Sequence, residues 1–548
     1  MMQTAKDDQQ KPSVQLPQGL ALGTTLNAGY PHAVDAFRGI PYALPPTGDR
    51  RFRPPVKVPR GDGTIDATQF GPRAPAQQFI TVGPTLAESE DCLTVNVFRQ
   101  APHNESSRLP VAVYIHGGAF NRGNAAMHDT ASMVGWSELP FVAVSFGYRI
   151  GALGFLPSCS SAAEGALNLG LKDQICLLEW VEENIHHFGG DKDNVTLFGL
   201  SAGAHSIGHH LLNYDDNVSP KFHRVIIQSG APTSRAVRKP NAEIHEQQFK
   251  DLLQEVGIPS SLSDSEIFNR LRSLTTTEIA TAQTKIFHKY NPSLRWAFQP
   301  VIDNEIIRGR PIDAWRAGRW HKVPIMTGFQ GNEGSLYVNK KMSTSSEFSD
   351  FWRTLLPQLS DDDVEEINQL YPDPERFPDS ALKESRCEHG VGAQFKRIES
   401  AYAHYAYVAP VRQTAHFASQ QAPVYLYHWA LRRNIVDGAP HGDNMFFEAR
   451  DPRFCEKAKS LDDISGVHHA YITSFICTGS PNELGGTYGT RPVWTPYHRD
   501  NAKVMIFGKD NTELLGGRDI GEPAVLVDDE FARTESDFWW SKVELSQQ

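Results

Sequence analysis

The sequence predicts an α/β fold, with a large, mostly parallel central sheet flanked by helices. Two observations carry this. Seven short apolar runs rich in Val, Ile, Phe and Tyr recur along the 548 residues: "PVAVYIHGG", "PFVAVSFGY", "NVTLFGLS", "RVIIQSG", "VPIMTGF", "APVYLYHWA" and "KVMIFG". Unbroken runs of this kind belong to strands buried on both faces, as parallel strands under crossover helices are. Helical patterns lie between several of them. In the clearest, Leu171, Ile175, Leu178, Val181, Ile185 and Phe188 recur at three- and four-residue spacing, and Gly189 and Gly190 close the helix. Strand, crossover helix, strand is the α/β signature.

No internal repeat, low-complexity tract or Pro/Ser-rich linker divides the chain. Residues 18–548 therefore read as a single domain behind a flexible polar tail over 1–17. The segment 343–421 is rich in helix patterns and poor in strand runs, and reads as a helical insertion over one end of the sheet. Its "LSDDDVEEINQLY" opens with Ser360 as N-cap and Asp363 three residues on, and the acidic run reads as a solvated face.

A net charge of −11 argues against a nucleic-acid partner, which calls for a basic face. No stretch approaches the roughly 20 apolar residues of a membrane span. The polar start carries no signal-peptide pattern, and the end carries no retention or anchoring signal, so the sequons at Asn104, Asn194 and Asn217 read as accidental. Six cysteines without a C-x-x-C pair suggest neither a disulfide framework nor a zinc site. His205 and His209, four apart, lack the companion ligands of a metal site and read as packing residues. His186 and His187 suit the last turn of their helix, and Cys159 reads as a structural or free thiol. No metal or organic cofactor is expected.

The chemistry centres on "FGLSAGAHS", a G-x-S-x-G pentapeptide around Ser201, with a β run before it and an apolar helix pattern after. A strand-to-helix turn this tight leaves no room for side chains at Gly199 and Gly203, and pushes the serine hydroxyl outward. A hydroxyl is a weak nucleophile at neutral pH; it needs a base, and donors for the oxyanion. "HGGAF" after the first strand run exposes the N–H groups of Gly117, Gly118 and Ala119, though an ordinary glycine turn reads the same way. His441 in "DGAPHGDNMFF" and Glu333 in "GFQGNEGSLY" both sit in loops after strands. With Ser201 they follow the Ser, acid, His order of the α/β-hydrolase fold.

Taken together, the motifs resemble those of the type-B carboxylesterases, a family that also holds cholinesterases and some fungal lipases. The resemblance runs from about Leu20 to about Gly508. It rests on "FRGIPYALPPTGDRRFRPP", "SEDCLTVNV", "NLGLKDQICLLEWVEENIHHFGGDKDNVTLFGLSAGA", "FQPVIDNEII", "GNEG", "HGDN", "GSPNE" and "VWTPY", in that order. It implies Ser201, Glu333 and His441 as triad, the N–H groups of Gly118, Ala119 and Ala202 as oxyanion hole, and Ser229 behind the triad, with Gly117 supporting. It also implies Arg51–Glu90 and Arg149–Asp173 as structural ion pairs. The expected activity is hydrolysis of a small to medium, largely apolar ester through an acyl-enzyme. An acyltransferase on the same site is the second reading; a non-catalytic interaction protein is disfavoured by the complete triad.

Five departures from the family pattern stand out. Leu200 replaces the usual Glu before the nucleophile, removing a carboxylate that would favour cationic substrates. Ala119 stands where Gly is usual, and Gly147 where Asn is usual. Cys92 has Ala74 in place of its disulfide partner, which with the polar start points to a reducing, cytoplasmic setting. The loop from Ala74 to Cys92 is short and has no Trp, against a cholinesterase or an interface-activated lipase.

Overall fold

Residues 11–27, 29–78, 83–103, 106–377 and 379–546 are described by a computed structural model. In chain order the strands are β1 (Ser13–Leu16), β2 (Gly19–Leu22), β3 (Thr24–Leu26), β4 (Ala33–Pro41), β5 (Thr64–Asp66), β6 (Thr94–Ala101) and β7 (Leu109–Ile115). There follow β8 (Val142–Phe146), β9 (Gly190–Leu200), β10 (Arg224–Gln228), β11 (Ile325–Gln330), β12 (Val424–Trp429), β13 (Lys503–Lys509) and β14 (Glu522–Asp528). Eleven of them make one sheet in the order β14-β13-β12-β11-β10-β9-β7-β8-β6-β4-β3, and β1, β2 and β5 make a small second sheet.

The seven apolar runs are the seven strands from β8 to β13 across the sheet's middle, all parallel. The edges turn antiparallel at β14 and at β6, β4 and β3. Alternate strand residues feed opposite cores. Val111, Val113, Leu197 and Ile227 join one, while Ala112, Tyr114, Phe198 and Ile226 join the other. Burial on both faces is why these strands read as unbroken apolar runs.

The helix Leu169–Asn184 continues as a 3₁₀ turn, Ile185–Phe188, and ends at Gly189 in the left-handed region (φ 80°). Segment 343–421 is helical as expected, with the Ser360–Asp363 capping box in place. Its aromatic side chains form a third core with Trp296, Phe287 and Ala119, so the insertion reaches the loop after β7.

One expectation needs correction. The flexible tail does not extend to residue 17. Ser13–Leu16 pairs antiparallel with β2 and buries Val14 and Leu16, and this two-residue alternation outweighs the polar composition. The helices Glu243–Glu255, Asp264–Ser273 and Thr276–Tyr290 form a second helical excursion. Its capping boxes Ser263–Glu266 and Thr275–Glu278 were legible in the sequence.

Asn104 and residues 1–10 lie outside the described residues. Asn194 accepts a hydrogen bond from Arg224, and Asn217 is exposed. Among the described residues no helix is long and apolar enough to cross a membrane. Ala74 and Cys92 line the same small cavity, and all six cysteines are free. At Gly147 a Cβ would stand 2.4 Å from the Cys92 carbonyl, so the residue usual in the family would not fit this backbone.

Both expected ion pairs are present and buried. Arg51 meets Glu90 at 2.6 Å, and three further bonds to the carbonyls of Leu271, Arg272 and Leu274 tie the N-terminal segment to a helix end. Arg149 meets Asp173 at 2.7 Å. Removing one partner leaves a charge stranded in the core. Arg149→Met is expected to cost about 3–5 kcal/mol, read as a fall in the urea midpoint. Adding Asp173→Leu should restore a good part of it; no recovery in the double variant would show that the pair is not the stabilising unit.

Candidate active site

Because the central strands are parallel, their C-terminal ends share one edge of the sheet. There Ile115 pairs with Gly199, Leu200 with Gln228, and Gln330 with Trp429. The loops that leave these ends carry every residue the sequence proposed.

Ser201 follows β9 directly and opens the helix Ala202–Leu212. Its φ of 59° and ψ of −123° place it where L-residues seldom go, at a cost on the order of 1–3 kcal/mol. Its N–H donates to the Gln228 carbonyl (3.0 Å), and its own carbonyl accepts from the His205 N–H (2.8 Å). The glycines are required by close approach. A Cβ at Gly203 would stand 1.9 Å from the Ile115 carbonyl oxygen, and one at Gly117 would stand 2.6 Å from that of Leu200.

The loop after β7 takes positive φ at three consecutive residues, Gly118 (119°), Ala119 (56°) and Phe120 (61°). Asn121 and Gln299 side-chain amides hold the Ala119 carbonyl at 2.9 and 3.0 Å. With that carbonyl turned away, the N–H groups are left over. Among the described residues those of Gly118, Ala119 and Ala202 donate to no protein acceptor. The left-handed turn costs Ala119 more than it would glycine. Its methyl packs in return into the aromatic core of the insertion.

Glu333 is fully buried and meets His441 Nδ1 at 2.5 Å; its other oxygen accepts from the Gln330 N–H at 2.8 Å. His441 Nε2 is buried and has no hydrogen-bond partner, Ser201 Oγ included. The acid and the histidine are thus joined, while the bond from histidine to serine is open. Such bonds tighten when substrate binds. Leu200 wedges beneath this loop, its Cδ2 only 2.9 Å from where a Gly442 Cβ would lie. Ser229 reaches the pair indirectly: Gln330 Nε2 donates to Ser229 Oγ (3.3 Å) and to Asn444 (2.6 Å).

Two rings flank His441 that sequence reasoning missed, Tyr337 at 5.3 Å and Tyr407 at 4.7 Å between centroids. Tyr337 lies four residues after Glu333 and was within reach of inspection. Tyr407 comes from a π-helical turn of the insertion, His404–Val408, and no spacing announces it.

His205 and His209 are both buried, and burial holds both imidazoles below their ordinary range, His209 at about 3. Among the described residues no group of three or more His, Cys, Asp or Glu is placed to hold a metal. A cavity of about 1590 Å³ opens behind Glu333, along Gly331 and Asn332, but neither Ser201 nor His441 lines it. Cavity size alone therefore does not mark this site.

A sheet of this order, with a left-handed serine between a parallel strand and a helix, defines an α/β-hydrolase. Residues 10–539 match the carboxylesterase family. The chain belongs to that family and is a carboxylic ester hydrolase by class. It is 34% identical over 530 residues to secreted lipase 4 of Gibberella zeae, covering 95% of this chain and 91% of that one. It is 31% identical to the para-nitrobenzyl esterase of Bacillus subtilis, covering 90% and 94%. The structure of Aspergillus niger EstA superposes with a TM-score of 0.81 at 27% identity, covering 98% and 99%.

Asp443, two residues past His441, is buried, and desolvation pushes its carboxyl up to about 7 despite Arg433 at 2.9 Å. That contact meets the distance for an ion pair but not the geometry of a hydrogen bond, so the carboxylate stays poorly compensated. A folded value above that of a free aspartate, about 4, means that the stability Asp443 contributes is full below pH 4 and is lost as pH rises through 7. Asp443→Asn is therefore expected to gain on the natural protein between pH 4 and 8, by up to roughly 4 kcal/mol. Urea midpoints across that range would show it; a pH-independent difference would contradict it.

Proposed function

We propose that the protein hydrolyses small to medium, largely apolar carboxylic esters through an acyl-enzyme on Ser201. The observation that carries this is the strained Ser201, together with unused N–H groups beside it and a buried Glu–His pair. His441 Nε2 takes the proton from Ser201 Oγ as it attacks the ester carbonyl. The N–H groups of Gly118, Ala119 and Ala202 receive the oxyanion, where preorganised donors act without reorganisation. Glu333 fixes the tautomer of His441 and stabilises its imidazolium, which then gives its proton to the leaving alcohol. Water activated by the same histidine releases the acid.

The short Ala74–Cys92 loop supports the size preference. It is closed at its base by Arg73–Glu88 (2.7 Å), and Gly83 packs so closely on Ala126 that a Cβ there would stand 2.2 Å from its carbonyl oxygen. A cytoplasmic setting is proposed on thiol chemistry alone, the six free cysteines with Ala74 facing Cys92; the similar protein from Gibberella zeae is named as secreted.

Ser201→Ala is expected to reduce p-nitrophenyl ester turnover to background, and Glu333→Gln to lower kcat by about 10³- to 10⁴-fold. Turnover that survives in pure Ser201→Ala protein would sink the assignment. Across p-nitrophenyl esters of rising chain length, rates should peak at short to medium acyl chains. A peak at long chains would overturn the reading of the loop.

A further inference from the structure

The loops that carry Glu333 and His441 are fastened to each other just before the acid and just before the histidine. The Asn332 N–H donates to the Ala439 carbonyl (2.9 Å), and the Ala439 N–H donates back to Asn332 Oδ1 (2.9 Å). Asn332 also pairs with Pro440 in an isolated parallel bridge. Gly438 makes room for this approach, since a Cβ there would stand 2.1 Å from Asn332 Oδ1. None of these bonds involves a side chain of the triad. They set the spacing across which Glu333 meets His441 at 2.5 Å.

The other side of the Asn332 amide faces the helical insertion. Asn332 Nδ2 donates to Glu399 Oε1 at 2.5 Å, and Glu399 is only 1% exposed on the helix Phe395–Ala403. An amide presents an acceptor and a donor from one short side chain. Here the acceptor serves the histidine loop and the donor serves the insertion. A carboxylate of the same size could serve only the first. The backbones are close as well: a Cβ at Gly334 would stand 2.1 Å from the Glu399 carbonyl oxygen. Arg386 completes the fastening. It donates to Glu399 Oε2 (3.1 Å) and to the carbonyl of Val436, in the loop that leads to His441 (2.7 Å).

Charge balance by itself does not call for Glu399. Arg386 is already matched by Glu384, which it meets through two nitrogens at 2.7 and 2.8 Å. A second buried carboxylate on one guanidinium adds like-charge repulsion and a desolvation cost. What Glu399 meets besides Arg386 is the amide of Asn332.

We propose that Glu399 and Asn332 are positioning residues, a clasp through which the helical insertion holds the loops of Glu333 and His441 in the register that lets the acid orient the base. This rests on the reading of Ser201, Glu333 and His441 as a triad. The clasp acts on the chemistry only through that acid and base.

The test is a double-variant cycle on p-nitrophenyl ester turnover. Glu399→Leu removes the acceptor and leaves Arg386 and Glu384 as a one-to-one pair, so no charge is stranded. Asn332→Asp keeps the bond from Ala439 but turns a carboxylate toward Glu399. Each is expected to lower kcat by about ten- to a hundredfold, the effect of a small misplacement of a catalytic group. KM should stay within about twofold, because an interaction that matters in the transition state is lost and ground-state binding is not. In a Glu333→Gln background the same changes should cost less than about twofold, since residues acting as one unit are not additive. The proton shared by Glu333 and His441 Nδ1 should give a far-downfield NMR signal in the natural protein. That signal should move upfield or broaden in both variants.

Unchanged kcat in folded Glu399→Leu and Asn332→Asp protein, with Glu333→Gln strongly impaired, would overturn the clasp and leave the triad standing. A loss of equal size with and without Glu333 would do the same, because it marks a purely structural role. So would a downfield signal that stays in place while kcat falls. If Glu399→Leu does not fold, the isosteric Asn332→Asp decides by the same outcomes. Full turnover in Glu333→Gln would remove the triad reading and the clasp together.

Discussion

Everything at the site depends on backbone lying against backbone. The loop after β7 and the turn after β9 cross with no side chain between them, because Gly117 faces the Leu200 carbonyl and Gly203 faces that of Ile115. This contact joins the serine to the N–H groups that would serve its oxyanion, without any side-chain bridge. It also explains how the protein sustains unfavourable dihedrals at Ser201, Ala119 and Phe120 together. Hydrogen bonds to Gln228, Asn121 and Gln299 hold Ser201 and Ala119, and the Phe120 carbonyl accepts from the Gly151 N–H. Strain of this kind persists only where the surroundings over-determine it.

The acid side of the site is built differently, from buried polar groups that satisfy one another. Gln330 serves Glu333 through its backbone and Ser229 and Asn444 through its side chain. This network anchors the carboxylate to the end of β11, and the carboxylate in turn orients His441. Around that histidine the surroundings are apolar or aromatic, with Leu200 below and Tyr337 and Tyr407 at its sides. Positive charge lies behind the rings, in Arg235, Arg238 and Arg295, and beside them in Arg122. The distribution is the reverse of one suited to a cationic ester.

The insertion is part of the site and more than a cover. A π-helical turn resets the helical register between Phe395–Ala403 and Ala409–Ala418, and Tyr407 from this turn meets the histidine. π-turns of this kind are often found at functional sites. The same insertion shares an aromatic core with Ala119. Helices far apart in sequence thereby press on both the loop after β7 and His441.

Several parts of this protein were legible in the sequence, because they depend on local chemistry. The seven central strands follow from unbroken apolar runs, the long helix from its three- and four-residue spacing, and the serine turn from glycines that tolerate no Cβ. Glu333 and His441 stand out by chain order and by the family motifs around them. The antiparallel edge strands were less legible, because β3 and β14 are only partly buried and β4 and β6 carry charged residues such as Asp35 and Arg99 within buried runs, and β1 was hidden by polar composition. What only the tertiary structure decided is which distant residues share a space: Tyr407 and Tyr337 against His441, Leu200 beneath it, and three arginines around one cavity. The physical reason is that sequence spacing carries the period of a helix or strand, whereas these contacts arise from the packing of separate elements on a common sheet edge. Spacing along the chain does not encode that packing.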